Sequence, residues 1–377
     1  MAASWNRRSL LRGGLSLAVL GKGAPALALI DPKDISRLLG EVPQQLKAAL
    51  PADVLQVADV IAEVVGLEGK ARALRLPGSK LSTGEGALSA DPERLYELAM
   101  PRLVALIDRA DKADPGLADK AGGLLARLHA TQHVVAEALA KVDAGGALQL
   151  LQFAPDLPGG APLKLPDVTV TQPQEPAPDP ALGPPSTSLK FDDIGGELLA
   201  WFKAARIRPQ RAEHATWHLT MMQEARPRYE AVGKRLGIPW YFIAAIHGLE
   251  ASFNFRAHLH NGDFPLTART RQVPAGRPRV WLPPSTWEDS AADALRLMGF
   301  TGEADWSLAR TLYRLEAFNG FGYRRMGRAS PYLWSFSTLY ERGKYVSDGR
   351  FDPAAKSHQC GAAVMLKVLA DAGQLDS

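Results

Sequence analysis

The residue best placed to do chemistry in this chain is Glu250. It ends the run IPWYFIAAIHGLEA, Ile238–Ala251, in which Trp240, Ile243, Ala244, Ile246 and Leu249 recur at spacings of one, three and four. A run apolar nearly all round predicts a helix buried in a core. It starts at Gly237-Ile238-Pro239, where the missing proline N–H has no helical partner to lose. A carboxylate on the last turn of such a helix needs a partner or a task, because burying it unpaired is costly. Two readings stand open. Glu250 pairs with an arginine such as Arg256 or sits at the domain surface. Alternatively, the helix delivers it into a cleft, where an apolar surround keeps a carboxyl group protonated and able to act as general acid.

The residues that follow bear on this choice. Phe253-Asn254-Phe255 leads into HLHNGDFPLTART, where Asn261-Gly262 is a tight-turn signal between two segments of extended character. The pattern predicts a small β-hairpin carrying Asp263, Thr267 and Thr270. A buried helix closing on Glu, followed by such a polar element, resembles the lysozyme superfamily. More narrowly, PWYFIAAIHGLEASFNF, HLHNGDFPLTART and VPAGRP are similar to bacterial lysozyme-family proteins, over roughly Phe191–Ala372, about half the chain. The resemblance implies a lysozyme-like α+β domain that cleaves the β-1,4 link between N-acetylmuramic acid and N-acetylglucosamine. Glu250 would be its catalytic acid, and the segment bearing Asn261 would form the opposite wall of the sugar cleft.

That bond breaks through an oxocarbenium-like state, which needs a proton donor and control of the opposite ring face. Asp263 is the leading second carboxylate. If it holds a water, the carboxyl groups stand about 6.5–9.5 Å apart and the enzyme inverts; about 5–5.5 Å suits a retaining mechanism. A lytic transglycosylase needs only Glu250, as acid and then base, with the muramic 6-hydroxyl closing an anhydro ring. The Glu250-x-Ser252 context is shared with such enzymes, while the Asn-Gly-Asp segment argues for the hydrolase. Thr267 suits either an orienter of water or Asp263, or a hairpin residue of good β propensity. By spacing, Asn319-Gly320 stops a helix; FNGFGYR also resembles the YNG–GY element that lines lysozyme-like clefts, which gives Asn319 and Gly320 a sugar-contact role. Seven of the eight Trp and seven of the eight Tyr lie after residue 190. Most suit a core, and Tyr323, Tyr332, Trp334 and Tyr345 are the candidates for stacking on sugar rings.

Two rivals belong to other classes. His247 and Glu250 form H-x-x-E, with His258, His260 and Asp263 near in sequence, so the first rival is a zinc peptidase acting on wall peptides. The spacing matches no peptidase signature, and His258 and His260 also suit hydrogen-bonded turns. The other rival is a non-catalytic wall-binding protein. No metal and no cofactor are expected.

The elements that must position these residues occupy the second half of 377 residues, a length for two or three domains. Residues 1–28 read as a twin-arginine signal peptide. Arg7-Arg8 precedes an apolar run, Gly13–Leu20, and an A-x-A site at Ala26–Ala28, and the run is shorter than the roughly 20 residues that span a bilayer. The expected location is periplasmic or secreted, with no stable membrane insertion after signal removal. Without those 28 residues the formal charge falls from +4 to zero, so the basic pI is no argument for nucleic acid, and none is expected as a partner. Residues 29–190 carry −5 and residues 191–377 carry +5, which suits an anionic wall polymer, the peptidoglycan glycan strands. The single cysteine, Cys360, sits in an apolar helical pattern and reads as a small buried hydrophobe, with no disulfide possible within the chain.

The whole chain is expected to be mainly α, in a helical module, a linker and the lysozyme-like domain. Residues 31–150 form a helical module, with helices predicted at Gln44–Leu50, Asp53–Leu67, Pro92–Ala110 and Leu117–Val142. His129 and His133 share a helical face there, but no third ligand accompanies them. Residues 151–190 are a linker, since ten of the 34 residues from Pro155 to Ser188 are proline. In the third part, 191–377, helices are predicted at Phe191–Ala205, Gln210–Arg226, Tyr229–Leu236, Trp287–Met298 and Asp305–Phe318. Ser285–Glu288 reads as a capping box.

Overall fold

The computed structural model describes residues 92–141, 182–347 and 349–375, together with Glu63, Val64, Gly66 and Leu67. The signal-like segment, most of the linker, the helix expected at 44–50 and most of the one expected at 53–67 lie outside the described residues. Those described are mainly α-helical, and the chain divides into two compact units between Gln172 and Pro173.

In the first unit, α1 (Pro92–Ala110) and α2 (Pro115–Lys141) pack on each other. Leu103, Leu106, Leu117, Leu124, Leu125 and Leu128 are buried, so the apolar spacing forms the contact. Asp114 starts α2, its Oδ1 accepting from Leu117 N at 3.0 Å. The Tyr96 hydroxyl lies 3.5 Å from His129 Nδ1, so this histidine has an aromatic neighbour; the His133 side chain lies outside the described residues.

The second unit is built around one helix. Its elements are α3 (Phe191–Ala204), α4 (Ala212–Glu224), α5 (Arg226–Leu236), α6 (Trp240–Ala251), α7 (Trp287–Leu297), α8 (Leu308–Asn319), α9 (Pro331–Trp334) and α10 (Ala362–Asp371). α6 touches α4, α5, α8 and α10, and every residue from Tyr241 to Leu249 is buried. That surround is why its sequence carries apolar residues on all sides. Cys360 is buried just before α10, and burial pushes its thiol pKa up. It behaves as a hydrophobe.

Two local expectations are corrected. No strand forms around Asn261-Gly262 among the described residues. Gly262 does take the left-handed conformation of a turn, at φ 73°, closed by His258 N donating to Asp263 O and Gly262 N to His258 O, with the Asn261 and Asp263 side chains holding the flanking backbone in place of a strand ladder. The hairpin lies instead at β1 (Lys344–Ser347) and β2 (Arg350–Asp352), antiparallel with Tyr345 opposite Phe351. Its signal was the Asp-Gly pair at 348–349, a turn dipeptide of the same class. The cap of α7 is shifted by one residue: Thr286 Oγ1 accepts from Asp289 N, and Asp289 answers where Glu288 was expected. Glu288 pairs with Arg228 at 2.6 Å.

Candidate active site

α6 ends abruptly. Ser252 and Phe253 both have positive φ, 51° and 60°, a region costly for residues with a Cβ. Packing holds them there. The Phe253 ring folds back under the helix end against Trp217 and His218, each 5.6 Å away. A Cβ on Gly248 would come within 2.7 Å of that ring and 3.2 Å of the Met365 methyl, so only glycine permits the fold-back. Gln359, which sequence reasoning missed, donates from Nε2 to Leu249 O at 2.7 Å and ties down the same turn. No local signal could have found a partner 110 residues away.

This turn carries Glu250, half-buried where the rest of the helix interior is sealed. The Tyr332 hydroxyl, on α9, donates to Glu250 Oε1 at 3.2 Å. The Tyr332 ring stacks on Phe318 at 6.3 Å and 26°, one residue before Asn319 at the end of α8. Gly320 follows at φ 87°, which releases the chain from that helix. The structure thus places Glu250 beside Tyr332, whose ring lies on Phe318, the residue before Asn319. A buried ion triad fixes the turn beyond. Arg324 donates to Glu316 at 2.9 and 3.0 Å and to Glu197 at 2.7 Å, joining α3 and α8. Burial raises the Glu316 carboxyl above its ordinary range while Arg324 opposes the rise.

The other predicted site residues do different work. Asp263 Oδ2 accepts from Arg271 N at 2.7 Å and Gln272 N at 2.8 Å, and from Asn261 Nδ2 at 3.2 Å. Asn261 Oδ1 in turn accepts from Asp263 N at 3.0 Å. Together they staple the loop shut. Thr267 is exposed on that loop, whereas Thr270 is buried and bridges Pro274 O and Arg277 N. Ser252 is fully buried as the helix terminus, so it presents no surface to a ligand. Tyr323 is also buried: its hydroxyl accepts from Tyr345 N at 2.9 Å, and its ring packs against Tyr345 and Phe351. It anchors the hairpin instead of lining a cleft. Trp334 is core, against Trp201.

The histidines of the metal reading are each engaged elsewhere. His247 Nδ1 meets the Tyr229 hydroxyl at 2.9 Å inside a ring cluster with Phe255 and Trp287. His258 Nε2 donates to Ala268 O at 2.6 Å, which leaves Nδ1 to accept from Ser290 at 2.7 Å; burial lowers its pKa, in keeping with this neutral form. His260 Nε2 contacts Asp293, which also pairs with Arg277 at 2.6 Å. Among the described residues no three His, Cys, Asp or Glu side chains are grouped to hold a metal ion. His258 and His260 fasten the 257–284 loop onto α7, through Ser290 and Asp293, while His247 packs inside the core.

No protein-family model, curated protein or solved structure matches the chain.

Proposed function

We propose that the second unit is a peptidoglycan-cleaving glycosidase with Glu250 as its general acid. The observation that carries this reading is the contrast within α6: a helix buried along its length ends in one half-exposed carboxyl group, oriented through Oε1 by the Tyr332 hydroxyl. An acid held in one direction can protonate a leaving glycosidic oxygen, worth about 10²–10⁴-fold in rate. Asn319 and Gly320, next to the ring on which Tyr332 stacks, are the residues offered for sugar contact. Export to the periplasm or beyond, to reach the glycan strands, belongs to the same proposal.

Two chemistries follow protonation, and the Asp263 geometry favours one. A carboxylate oxygen held by two backbone N–H groups keeps a loop closed and is poorly free to activate a water or attack a sugar. This supports the one-carboxylate route, in which Glu250 acts as acid and then base and the muramic 6-hydroxyl forms an anhydro product. The two-carboxylate muramidase with Asp263 is the alternative. Mass spectrometry of fragments released from purified peptidoglycan separates them: anhydro ends for the first, reducing ends for the second. Glu250→Gln should lower fragment release by at least about 10²-fold with wall binding intact. Equal clearing by both proteins would sink the assignment, and fragments split only in their peptides would return the peptidase.

A further inference from the structure

We propose that the loop from Phe264 to Trp287 is a docking surface for an anionic lipid bilayer, on which the protein sits peripherally. This stretch contains four arginines and no acidic residue. Arg277 is paired with Asp293, and Arg271 holds Phe264 O at 3.0 Å through Nη2. Arg269 and Arg279 are exposed and form no ion pair among the described residues. The acids that follow in α7 are already committed, Glu288 to Arg228 and Asp289 to Arg235. The loop therefore presents uncompensated positive charge.

It also presents apolar side chains, which distinguish a lipid surface from a hydrated polyanion. Val280 and Leu282 are 77% and 72% exposed, the most exposed large hydrophobic residues described. Between them Trp281 turns inward, its ring 5.5 Å from His258 and its Nε1 donating to Leu266 O at 2.6 Å. The inward tryptophan thus fixes Val280 and Leu282 outward, beside Arg279, on a loop already stapled by Asp263 and Thr270. Exposed apolar groups rimmed by arginine suit the headgroup boundary of an anionic membrane, where the aliphatic groups enter and the guanidinium groups stay with phosphates. A wall glycan would leave Val280 and Leu282 in water. No described helix is long and apolar enough to cross a membrane, and peripheral docking requires none.

The test places a polarity-sensitive fluorophore on Leu282→Cys in the full chain. Cys360 is fully buried with its thiol pKa raised, so labelling goes to position 282. Vesicles of two parts phosphatidylcholine to one part phosphatidylglycerol should shift the emission to the blue, and vesicles of phosphatidylcholine alone should not. Adding Arg269→Ser and Arg279→Ser should weaken the response about fivefold per arginine, and about 0.5 M sodium chloride should do the same. Circular dichroism checks that each variant is folded. Several results overturn the proposal: an unmoved probe while the chain pellets with vesicles, an equal shift on neutral vesicles, or indifference to the arginine replacements. A shift with purified wall sacculi but not with vesicles would make the partner the wall, and emission already blue in buffer would mean another part of the chain covers the patch.

Discussion

α6 and the loop that follows it, residues 257–284, are neighbours in sequence held in place by opposite means. The helix is fixed by apolar burial: Phe242, Ile243, Ala244, Ala245 and Ile246 are wholly removed from water. The loop has few buried apolar side chains and is fixed by directed polar contacts from Asn261, Asp263, His258, Thr270 and Trp281 to backbone groups. Burial energy is spread over many contacts and gives one cooperative block, whereas each polar staple holds a local closure that can open by itself. Glu250 stands where the two regimes meet. The difference teaches that the acid's placement should depend on the core, while the closure of the loop should depend on the staples.

Breaking the helix end tests the first half. Phe253→Ala removes a ring 2% exposed that wedges the α6 terminus against α4. The expected loss is about 4 kcal/mol, the usual range for a large ring truncated in a core. It should appear in urea unfolding as a lower midpoint at unchanged slope. A loss below about 1 kcal/mol would mean the terminus is not locked by packing.

Acid probes the same side of the contrast. His218 packs on Phe253, donates from Nδ1 to His214 O at 2.8 Å, and is held by burial at a pKa of about 4 against an ordinary 6.5. Its neutral form is the folded form, so the unfolded chain takes the proton first as pH falls. The stability it contributes is complete above about pH 6.5 and is lost on descent towards pH 4. At about 1.36 kcal/mol per pH unit, that is about 3 kcal/mol. His214 and His258 shift the same way and add to the loss. Unfolding free energies measured from pH 7 to pH 4 should fall accordingly; a flat profile would rule out neutral buried histidines here.

How much of this was legible in the sequence follows the same division. The buried helix, its limits within two residues and Glu250 on its last turn are all readable, because apolar periodicity reports burial directly. The loop is not. Asn261-Gly262 does make a turn, but a turn dipeptide does not say whether strands or side-chain staples flank it. Here Asp263 supplies acceptors that a partner strand would otherwise give, and Pro265 removes a donor from any ladder. The same signal at residues 348–349 stands between Tyr345 and Phe351, which pair across strands and pack on Tyr323, and there the hairpin forms. The contact between Tyr332 and Glu250 was out of reach for another reason: 82 residues separate them, and only the packed fold brings them together.

Asp263→Ala sharpens the second half of the comparison. Two backbone N–H groups, of Arg271 and Gln272, lose their acceptor, and both residues are exposed enough for water to replace it in part. The expected loss is about 2 kcal/mol, confined to the loop. Limited proteolysis should cut within residues 264–284 while the urea midpoint moves little. If fragment release from peptidoglycan vanishes while the loop stays closed, Asp263 acts on substrate and the two-carboxylate mechanism regains the lead.

The smallest change asks whether the loop opens by itself. Trp281→Phe keeps an aromatic ring against His258 but removes the Nε1–H that reaches Leu266 O. Leu266 is only half-buried, so the freed carbonyl can find water, and the expected loss is about 1 kcal/mol. Hydrogen exchange should report it as about fivefold faster exchange at the amides of Leu266, Ala268 and Thr270, which bond within this loop or to its root at Arg256. Amides in the middle of α6 should keep their rate, since they exchange only when the core opens. Equal acceleration in the helix would show that loop and core unfold as one unit, and the polar staples would then carry the same cooperative energy as the buried rings.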